Sequence, residues 1–465
     1  MPTVTLGEVP ASPADIAAIA RGAEVVIAPA GLARVTAARA VVEATLASGA
    51  SVYGLTTRLG SGRDERISTD DLLEFQRQVV GNHVGGSGER LPPVEVRAVI
   101  AARLAVLLNG GSGVRPELVH AVAGLLATDA VIGIPSRGSV GAADLTVLAP
   151  VLAVLLDGGF VLAPQEAAAF LSANAYSVGV SALVADDLDA LGLAADRAVA
   201  ITLQASAMHG TGGAVSPFSP EVQAARGGAG QRHSAERIRN LVDGGELLDP
   251  GREVTVQDPL SVRTAPQVTG ALLERVDALR AELAIELAAR PENPLVDTGS
   301  GLMLSGGNFA ALPLTLALES LRLALGHVAA ASERRIALLS ELLRPFRGRG
   351  ASVLPGLTWY GAAAALAEIR QLAAPVSLGA TVLSGVEDTA SFAPVALQLL
   401  QRSAGLTRDV LAIEAVHAAE LVRLGDGVDA LGPHSRSLAA ALVEVLESGE
   451  PSDRVVERSG ILLVG

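Results

Sequence analysis

Apolar residues in this chain recur mainly at steps of three and four, the spacing that places them on one face of an α-helix. A clear example is the segment 271–294, in which charged residues lie between the apolar ones. Its apolar series is Leu272, Val276, Leu279, Leu283 and Leu287. Pro291 is expected to end this helix, because proline cannot continue the backbone hydrogen-bond pattern. A second segment, 312–344, is apolar almost all round, which predicts a helix buried on most sides.

The same periodicity covers most of the remaining chain, whereas strand signals are few and short, near Val25–Ile27 and Val254–Val256. Glycine-rich stretches separate the periodic segments and predict loops at the helix ends. The chain is therefore predicted to be all-α. The further predicted helices cover residues 12–21, 31–49, 69–81, 93–109, 116–128, 143–157, 165–191, 195–209, 361–373, 396–422 and 435–448.

The amino-acid composition excludes several classes of partner and catalytic group. Half of the 465 residues are hydrophobic but only 2% are aromatic, so the core must consist mainly of alanine, leucine and valine. The net charge of −14 argues against a nucleic-acid or anionic-membrane partner. There is no cysteine, and all 35 basic residues are arginine. Disulfides, thiolate nucleophiles, Cys-based metal sites and Schiff-base lysines are therefore excluded.

The cellular compartment of the protein is predicted from two features that the sequence does not show, a secretory signal and a membrane-spanning segment. The first 22 residues contain no basic region followed by an apolar run, so they do not resemble a secretory signal. No stretch reaches the roughly 18 uninterrupted apolar residues of a membrane-spanning helix. We therefore expect a cytoplasmic protein without a membrane partner.

Tyr53 is the first candidate for chemistry, since it opens a glycine loop with the sequence "YGLTTRLG". A tyrosine in such a loop can act as an acid or base if a cation lowers its pKa, and Arg58 is a candidate cation. The alternative is a packing tyrosine with a hydrogen-bonded hydroxyl, which the local spacing alone favours.

Two dense polar runs are the second candidate. "VQDPLSVRTAPQ" contains Gln257 and Arg263, and "SGVEDTASF" contains Glu387. Arginine binds carboxylates in a bidentate way, so Arg263 could hold a substrate carboxylate. A structural network of arginines and carboxylates is an equally good interpretation from spacing alone. The seven histidines show no metal-binding spacing, so no metal is expected.

Taken in order, many of these segments resemble motifs of the aromatic amino acid lyases, the family of the histidine and phenylalanine ammonia-lyases. The resemblance extends from about Leu6 to Glu420 and is specific because so many motifs follow in the family's order. The matching segments are "SVYGLTTRLG", "VVGNHVGGSGERL", "NGGSGVR", "IPSRGSVGAADLTVLAPV", "GQRHSAERIRNLV", "VQDPLSVRTAPQVTGA", "ENPLV", "SGGNF", "SERRIALL" and "VEDTASF".

The resemblance implies an all-helical fold with a long central bundle and a loop-rich active-site end. It also implies a homotetramer whose active sites combine loops from several subunits, acting on a small carboxylate-bearing molecule. The chain is then one lyase-like unit, 1–465. Residues 1–190 carry the tyrosine loop and the loop around Ala142, and residues 191–465 carry the bundle and a shortened C-terminal part.

Site residues are carried over from the family by motif. Tyr53 matches the catalytic base, with Arg58 and Glu387 as its predicted catalytic neighbours. Glu387 also matches a pocket position. The residues predicted to bind substrate are His83, Asn174, Gln257, Arg263 and Phe309.

One family feature is missing. The family forms its electrophile, 4-methylideneimidazole-5-one (MIO), from an Ala-Ser-Gly tripeptide, and this chain has Ala142, Ala143 and Asp144 there. The serine hydroxyl that must leave is absent, and the glycine is deleted. The chain's one Ala-Ser-Gly, at 47–49, ends a predicted helix, which is the wrong context. We therefore expect no MIO and no other cofactor.

Three interpretations of function follow. The first is an enzyme that applies its tyrosine base to an already activated substrate, by elimination, conjugate addition, isomerisation or cyclisation, in specialised metabolism. The second is an inactive relative that serves as a binding or scaffold protein. The third, a conventional ammonia-lyase, is chemically disfavoured because ammonia elimination needs MIO. Retention of Tyr53, one of three tyrosines, favours the first.

Overall fold

Helices dominate the computed structural model, which describes residues 2–128, 131–245, 255–379 and 387–465, and the predicted all-α fold class is confirmed. The helices are α1 Pro13–Ala20, α2 Pro29–Ser48, α3 Leu72–His83, α4 Pro93–Leu107, α5 Pro116–Leu126, α6 Leu145–Asp157, α7 Glu166–Leu171, α8 Ala175–Met208, α9 Pro220–Arg226, α10 Ala229–Val242, α11 Leu260–Arg263, α12 Ala265–Ala288, α13 Leu312–Arg347, α14 Thr358–Leu372, α15 Ala393–Leu424, α16 Pro433–Glu447 and α17 Ser452–Val464.

Strands in the described residues form three small two-stranded sheets. β1 pairs in parallel with β2, whereas β3 pairs antiparallel with β4, and β5 with β6. Their bounds are β1 Thr3–Leu6, β2 Glu24–Ile27, β3 Ser87–Arg90, β4 Pro135–Arg137, β5 Leu295–Asp297 and β6 Leu302–Leu304.

The chain folds into two compact units, each made of three separate stretches of sequence. The first unit contains Met1–Ala185, Leu279–Leu318 and Pro375–Gln398, and the second contains Asp186–Ala278, Glu319–Ala374 and Leu399–Gly465. The helices α8, α12, α13 and α15 contribute residues to both units. The subdivision at residues 190 and 191 stays a prediction.

Local sequence sets the helix ends in the first unit. At the start of α1 the Ser12 hydroxyl accepts a hydrogen bond from the Asp15 amide at 3.2 Å, and the Asp15 carboxylate accepts one from the Ser12 amide at 2.8 Å. This reciprocal capping box satisfies two amides that the helix leaves without a partner. α2 begins with Pro29 and ends before Gly49, whose φ of +70° is the left-handed conformation that glycine adopts easily.

The core of the first unit is apolar but contains a buried ion pair. Every residue of α4 from Ala98 to Leu107 is buried, which includes Arg103. The Arg103 guanidinium donates to Glu292 at 3.1 Å and to the carbonyl oxygens of Ala169 and Phe170. A buried charge is tolerated only with such partners, so this pair fixes the chain around 292 against α4.

The described part of the second unit contains two apolar clusters and a buried ion pair. One cluster forms around Phe218 and Ile238, and the other around Ile336 and Ile369. The Arg335 guanidinium donates to the Glu414 carboxylate at 2.6 Å and 2.8 Å, and the Thr202 hydroxyl donates to the same carboxylate. These bonds join α8, α13 and α15 inside this unit.

The structure corrects several predicted elements. The predicted break at 191–195 is wrong, because α8 runs through it, and the predicted start of that helix at 165 corresponds to the separate α7. No helix is predicted over residues 220–242, which include the glycine-rich stretch "ARGGAGQR", yet α9 and α10 form there. The strand near Val25 is confirmed as β2. Of the strand predicted at 254–256, Val254 lies outside the described residues, and residues 255 and 256 are not in a strand.

Two helical segments are long and apolar enough to cross a membrane, Glu166–Met208 and Leu312–Arg347. The most apolar window of the first is entirely buried within the protein, and that of the second is half buried. Core helices of soluble proteins meet the same criterion. The absence of a membrane partner stays a prediction.

Candidate active site

The loop before α6 is organised around the carboxylate of Asp144. The Ser139 hydroxyl donates to it at 2.7 Å, the Ser177 amide donates at 2.9 Å, and the Ser177 hydroxyl donates at 3.2 Å. Asp144 is fully buried, and burial raises the pKa of its carboxyl although these hydrogen bonds lower it. The Asp144 amide donates to the Ala173 carbonyl at 2.8 Å. Both polar ends of Asp144 therefore already have partners.

Ala142 and Ala143 belong to a tight turn of the same loop, in which Gly141 pairs with Ala143 and Ala143 is buried. Ala143 has a φ of 61°, a left-handed conformation that is uncommon for a residue with a β-carbon, and Ala142 pairs with Ala310. On the other side, the Ser391 hydroxyl donates to the Gly141 carbonyl at 2.8 Å. The loop is thus fastened to residues distant in sequence on both sides.

Asn174 lies beside this loop, just before α8. Its side-chain amide donates to the Phe309 carbonyl at 2.6 Å, and Asn174 is almost fully buried. Its Oδ1 is buried without a hydrogen-bond partner among the described residues. The structure therefore brings together three of the predicted elements, Asn174, Phe309 and the loop, and leaves an unsatisfied acceptor among them.

The Tyr53 hydroxyl accepts a hydrogen bond from the backbone amide of Gly60 at 3.0 Å. The loop returns on itself through Gly54, which has a φ of +70°, and an added β-carbon there would lie 2.9 Å from the Leu59 side chain. An N–H donor stabilises negative charge on the oxygen that it contacts. The phenol oxygen of Tyr53 is therefore held in position by the backbone of its own loop.

Arg58, the predicted cation beside Tyr53, makes a different contact. Its Nε lies 3.4 Å from the Glu65 carboxylate, and the Arg58 side chain is about half exposed. Glu65 partly neutralises the charge that was expected to act on Tyr53. Gly60 rather than Arg58 contacts the hydroxyl, and a catalytic role for Arg58 stays a prediction.

His83 and Glu387 are the remaining site residues of the first unit. His83 ends α3, and its Nδ1 lies 2.6 Å from the Val79 carbonyl oxygen. A carbonyl can only accept, so Nδ1 carries the hydrogen and Nε2 is the nitrogen left for a ligand. Glu387 is half-buried, four residues before the Ser391 that contacts the loop. Among the described residues, no hydrogen bond joins Tyr53, His83 and Glu387.

Gln257 and Arg263 belong to the second unit. Gln257 lines a cavity of about 240 Å³ together with Thr202, Ser206, Thr211 and Asp258. Arg263 ends the short helix α11 and is half-buried. Its Nε is buried without a hydrogen-bond partner in the described parts of the chain. A buried guanidinium nitrogen without an acceptor is suited to a carboxylate supplied by a ligand.

Four residues that position the site were not singled out from the sequence. Gly60 acts through its backbone amide, which no side-chain pattern can indicate. Ser139 and Ser391 lie within the quoted motifs "IPSRGSVGAADLTVLAPV" and "VEDTASF", where each is a visible hydroxyl, whereas Ser177 carries no local signal. Across the described ranges, no group of three or more histidines and carboxylates could hold a metal ion.

The fold and these loops define an all-α lyase-type protein, and comparison with known proteins gives the family. The model of the aromatic amino acid lyases matches residues 11–161 and 157–444. The histidine ammonia-lyase of Paracidovorax citrulli is 35% identical over 456 residues, which is 90% of this chain and 87% of the relative. That of Anaeromyxobacter dehalogenans is 34% identical over 88% of each chain. The chain belongs to the aromatic amino acid lyase family.

Solved structures of similar proteins have the same fold. Ergothionase, the ergothioneine-degrading enzyme of Treponema denticola, superimposes with a TM-score of 0.90 at 25% identity, covering 99% of this chain and 98% of that one. Tyrosine aminomutase from Streptomyces globisporus has a TM-score of 0.88 at 24% identity, with 100% and 97% covered, and shows the likeness of fold alone.

Glu286, on α12, adds a titratable group near the loop. Burial raises the pKa of its carboxyl to about 7, and the neighbouring charges of Glu282 and Asp144 act in the same direction. The folded protein therefore binds this proton more tightly than the unfolded chain does. Stability is lost as the pH rises from the ordinary glutamate value to about 7, because the unfolded chain releases the proton first.

Glu286→Gln is therefore expected to raise the free energy of unfolding by about 1–3 kcal/mol at about pH 8, because glutamine stays neutral. At about pH 4 the variant and the wild type should be equally stable, since Glu286 is protonated in both states. Urea unfolding at the two pH values measures the difference. Glu444→Gln, at an exposed position, is the control and should show no such pH dependence. Equal stability of Glu286→Gln and wild type at both pH values would contradict the prediction.

Proposed function

We propose that this protein is an MIO-independent, lyase-like enzyme in which Tyr53 removes a proton from an already activated, carboxylate-bearing substrate. The observation that carries the proposal is the hydrogen bond from the Gly60 amide to the Tyr53 hydroxyl. An N–H donor at the phenol oxygen would stabilise the phenolate that a tyrosine base requires, and Tyr53 is only half-buried, so its oxygen is not enclosed by packing alone. Arg263 binds the substrate carboxylate through its unpartnered guanidinium nitrogen.

The residues at the loop do not fit MIO formation. The middle residue, Ala143, has no hydroxyl to lose, and Asp144 stands where glycine would close the ring. The Asp144 amide is hydrogen-bonded to Ala173, and the nearby Ser139 hydroxyl is bonded to the Asp144 carboxylate. We therefore propose a reaction that needs no cofactor.

Without the electrophile, the substrate must supply part of the activation. A general base contributes roughly 10²–10⁴-fold, or about 3–5 kcal/mol, to a barrier that enzymes lower by about 8–23 kcal/mol. In an elimination, Tyr53 takes the β-proton, a carbon–carbon double bond forms, and the bond to the leaving group breaks with its electron pair. A substrate with a good leaving group or an acidified proton makes this step accessible to one base.

A quaternary amine is one such leaving group, and the likeness to ergothionase supports including it. In a betaine the nitrogen is fully alkylated, so it departs as a neutral tertiary amine and needs no proton from the enzyme. The carboxylate that accompanies this amine is the group that Arg263 would bind. The candidate substrates are therefore betaines of aromatic amino acids, acyl thioesters, ketones and enones. In the last three the carbonyl group activates the substrate.

The assembly proposed is a homotetramer whose sites combine loops from several subunits, as in the family that the chain belongs to. Tyr53 and Arg263 can then serve one substrate from different copies of the chain. We also propose a cytoplasmic protein that acts on a small molecule, and the charge of −14 supports the absence of nucleic acid or an anionic membrane as partner.

The intact mass of the purified protein is expected to equal the mass of its sequence. MIO formation would remove two water molecules from the chain, so a conventional ammonia-lyase would be lighter by that amount. Intact-mass spectrometry measures the difference, and a peptide digest locates it. A deficit of two waters within the peptide that contains Ala142 would overturn the cofactor proposal.

Tyr53→Phe is expected to lower turnover of an activated substrate by roughly 10²–10⁴-fold while leaving the thermal midpoint unchanged, because only the hydroxyl is removed. Tyr360→Phe, at an exposed tyrosine of α14, is the matched control and should keep full activity. Rates measured over a panel of betaines, thioesters and aryl-acrylates test this. If wild-type turnover survives Tyr53→Phe unaltered, the base is another group.

Arg263→Ala is expected to abolish ligand binding, because it removes the carboxylate partner. The measurement is the ligand-induced rise in thermal midpoint over the same panel, extended to amino acids and hydroxy acids. Arg275→Ala, an exposed arginine on α12, should behave as wild type. A rise that Arg263→Ala retains would refute the carboxylate assignment, and no response from any ligand would favour the non-catalytic scaffold.

A further inference from the structure

Arg347, the last residue of α13, has an unexplained buried charge. Its Nε and Nη2 are both buried without a hydrogen-bond partner among the described residues. The nearby Arg344 differs, since it is exposed and lies 3.6 Å from the Glu341 carboxylate. Buried guanidinium nitrogens without an acceptor are rare, and an ion or water is a usual explanation.

His417 of α15 presents a second unpartnered group in the same part of the second unit. Its Nδ1 lies 2.7 Å from the Ile413 carbonyl, so this nitrogen carries the hydrogen and donates. Its Nε2 is buried and has no partner within the described ranges, and the residue has no exposed surface. The imidazole ring is therefore held in place through Nδ1, and Nε2 is the nitrogen that can bind a ligand.

The charges around His417 leave room for an anion. Burial and, to a smaller extent, the positive charge of Arg347 lower the pKa of His417 to about 4, although the hydrogen bond to Ile413 and the charge of Glu420 act in the opposite direction. The Glu420 carboxylate already accepts from Ser352, Val353 and Arg423. These contacts with Glu420 involve neither Arg347 nor His417.

Two contacts of His209 and the exposed turn after α13 describe the surroundings of Arg347. The Nε2 of His209 bonds to the Leu421 carbonyl at 2.7 Å, and the His209 ring packs edge-on against Phe346. Arg347 itself is only half-buried, and the residues that follow it, Gly348 to Gly350, are exposed and include Arg349. The exposed turn therefore adds a second positive charge, that of Arg349, near Arg347 in the chain.

We propose that a small oxyanion, such as a phosphate, sulfate or carboxylate group, binds between Arg347 and His417. Its oxygens accept from Nε and Nη2 of the guanidinium and from Nε2 of the imidazole. For Nε2 to donate, the neutral ring must take up one proton from solvent as the anion binds. The three buried nitrogens that lack partners then all have one. None of the predicted active-site residues belongs to this site, so the proposal is independent of the proposed function.

The first test is the thermal midpoint of the full-length protein at about pH 6, in sodium phosphate or sodium sulfate against sodium chloride at equal ionic strength. Wild type and the control Arg344→Gln are expected to gain about 2–5 °C with the oxyanions beyond the general salt effect. Arg347→Gln should lose this extra gain. Identical gains in wild type and Arg347→Gln would overturn the proposal.

The second test measures the wild-type protein and uses a variant only to assign one NMR signal. The pKa of the His417 ring is followed by NMR in wild type with and without phosphate, and the signal is assigned by its loss in His417→Gln. Anion binding is expected to raise this pKa by more than about one unit, and phosphate affinity should increase as the pH falls. An unchanged ring pKa would mean that a water, or a carboxylate of a second copy, fills the site, and either result excludes the anion.

Discussion

The buried carboxylate of Asp144 fixes the geometry on which the candidate site depends. It accepts from Ser139 of its own loop and from Ser177 near the start of α8, and its amide bonds to Ala173. Because a buried carboxylate is stable only when it is hydrogen-bonded, the loop and the start of α8 are held together at this point. Asn174 lies between two of these contacts, so its side chain is directed towards Phe309 by the same constraint.

This fastening also explains how the loop keeps its shape although the tripeptide of the family is altered. Residues 142 and 143 contribute only backbone and two methyl groups, and the bonds that hold the loop come from its neighbours. Two of the buried polar atoms without a hydrogen-bond partner among the described residues belong to residues predicted to bind substrate, Asn174 Oδ1 in the first unit and Arg263 Nε in the second. The sequence thus retains side chains with the chemistry to bind a ligand, whereas the Ala-Ser-Gly tripeptide is absent at 142–144.

The fold was predictable from the sequence because helical periodicity is local and strong, as in the leucine series of α12. Two errors in helix prediction, a break within α8 and the missed helix α10, also have local causes. Gly192 lies within α8 because a helix packed on its neighbours tolerates one glycine, and α10 is amphipathic but begins in a glycine-rich stretch that resembles a loop. For the site, motif order indicated Tyr53, Asn174 and Phe309. The Gly60 amide and the serines that bind Asp144 could not be predicted, because they act through contacts that only the folded chain creates.

The two units have a consequence for how the protein is made. Each is assembled from three stretches, and the first unit needs residues 375–398, which are synthesised after more than half of the second unit's sequence. The first unit therefore cannot be completed until residue 398 has been synthesised, and the second unit cannot be completed until residue 465 has been synthesised. The many contacts between distant stretches predict slow folding, and apolar segments such as α8 must wait for late partners. Production in the cell is therefore expected to depend on chaperones that shield the N-terminal half until the last helices arrive.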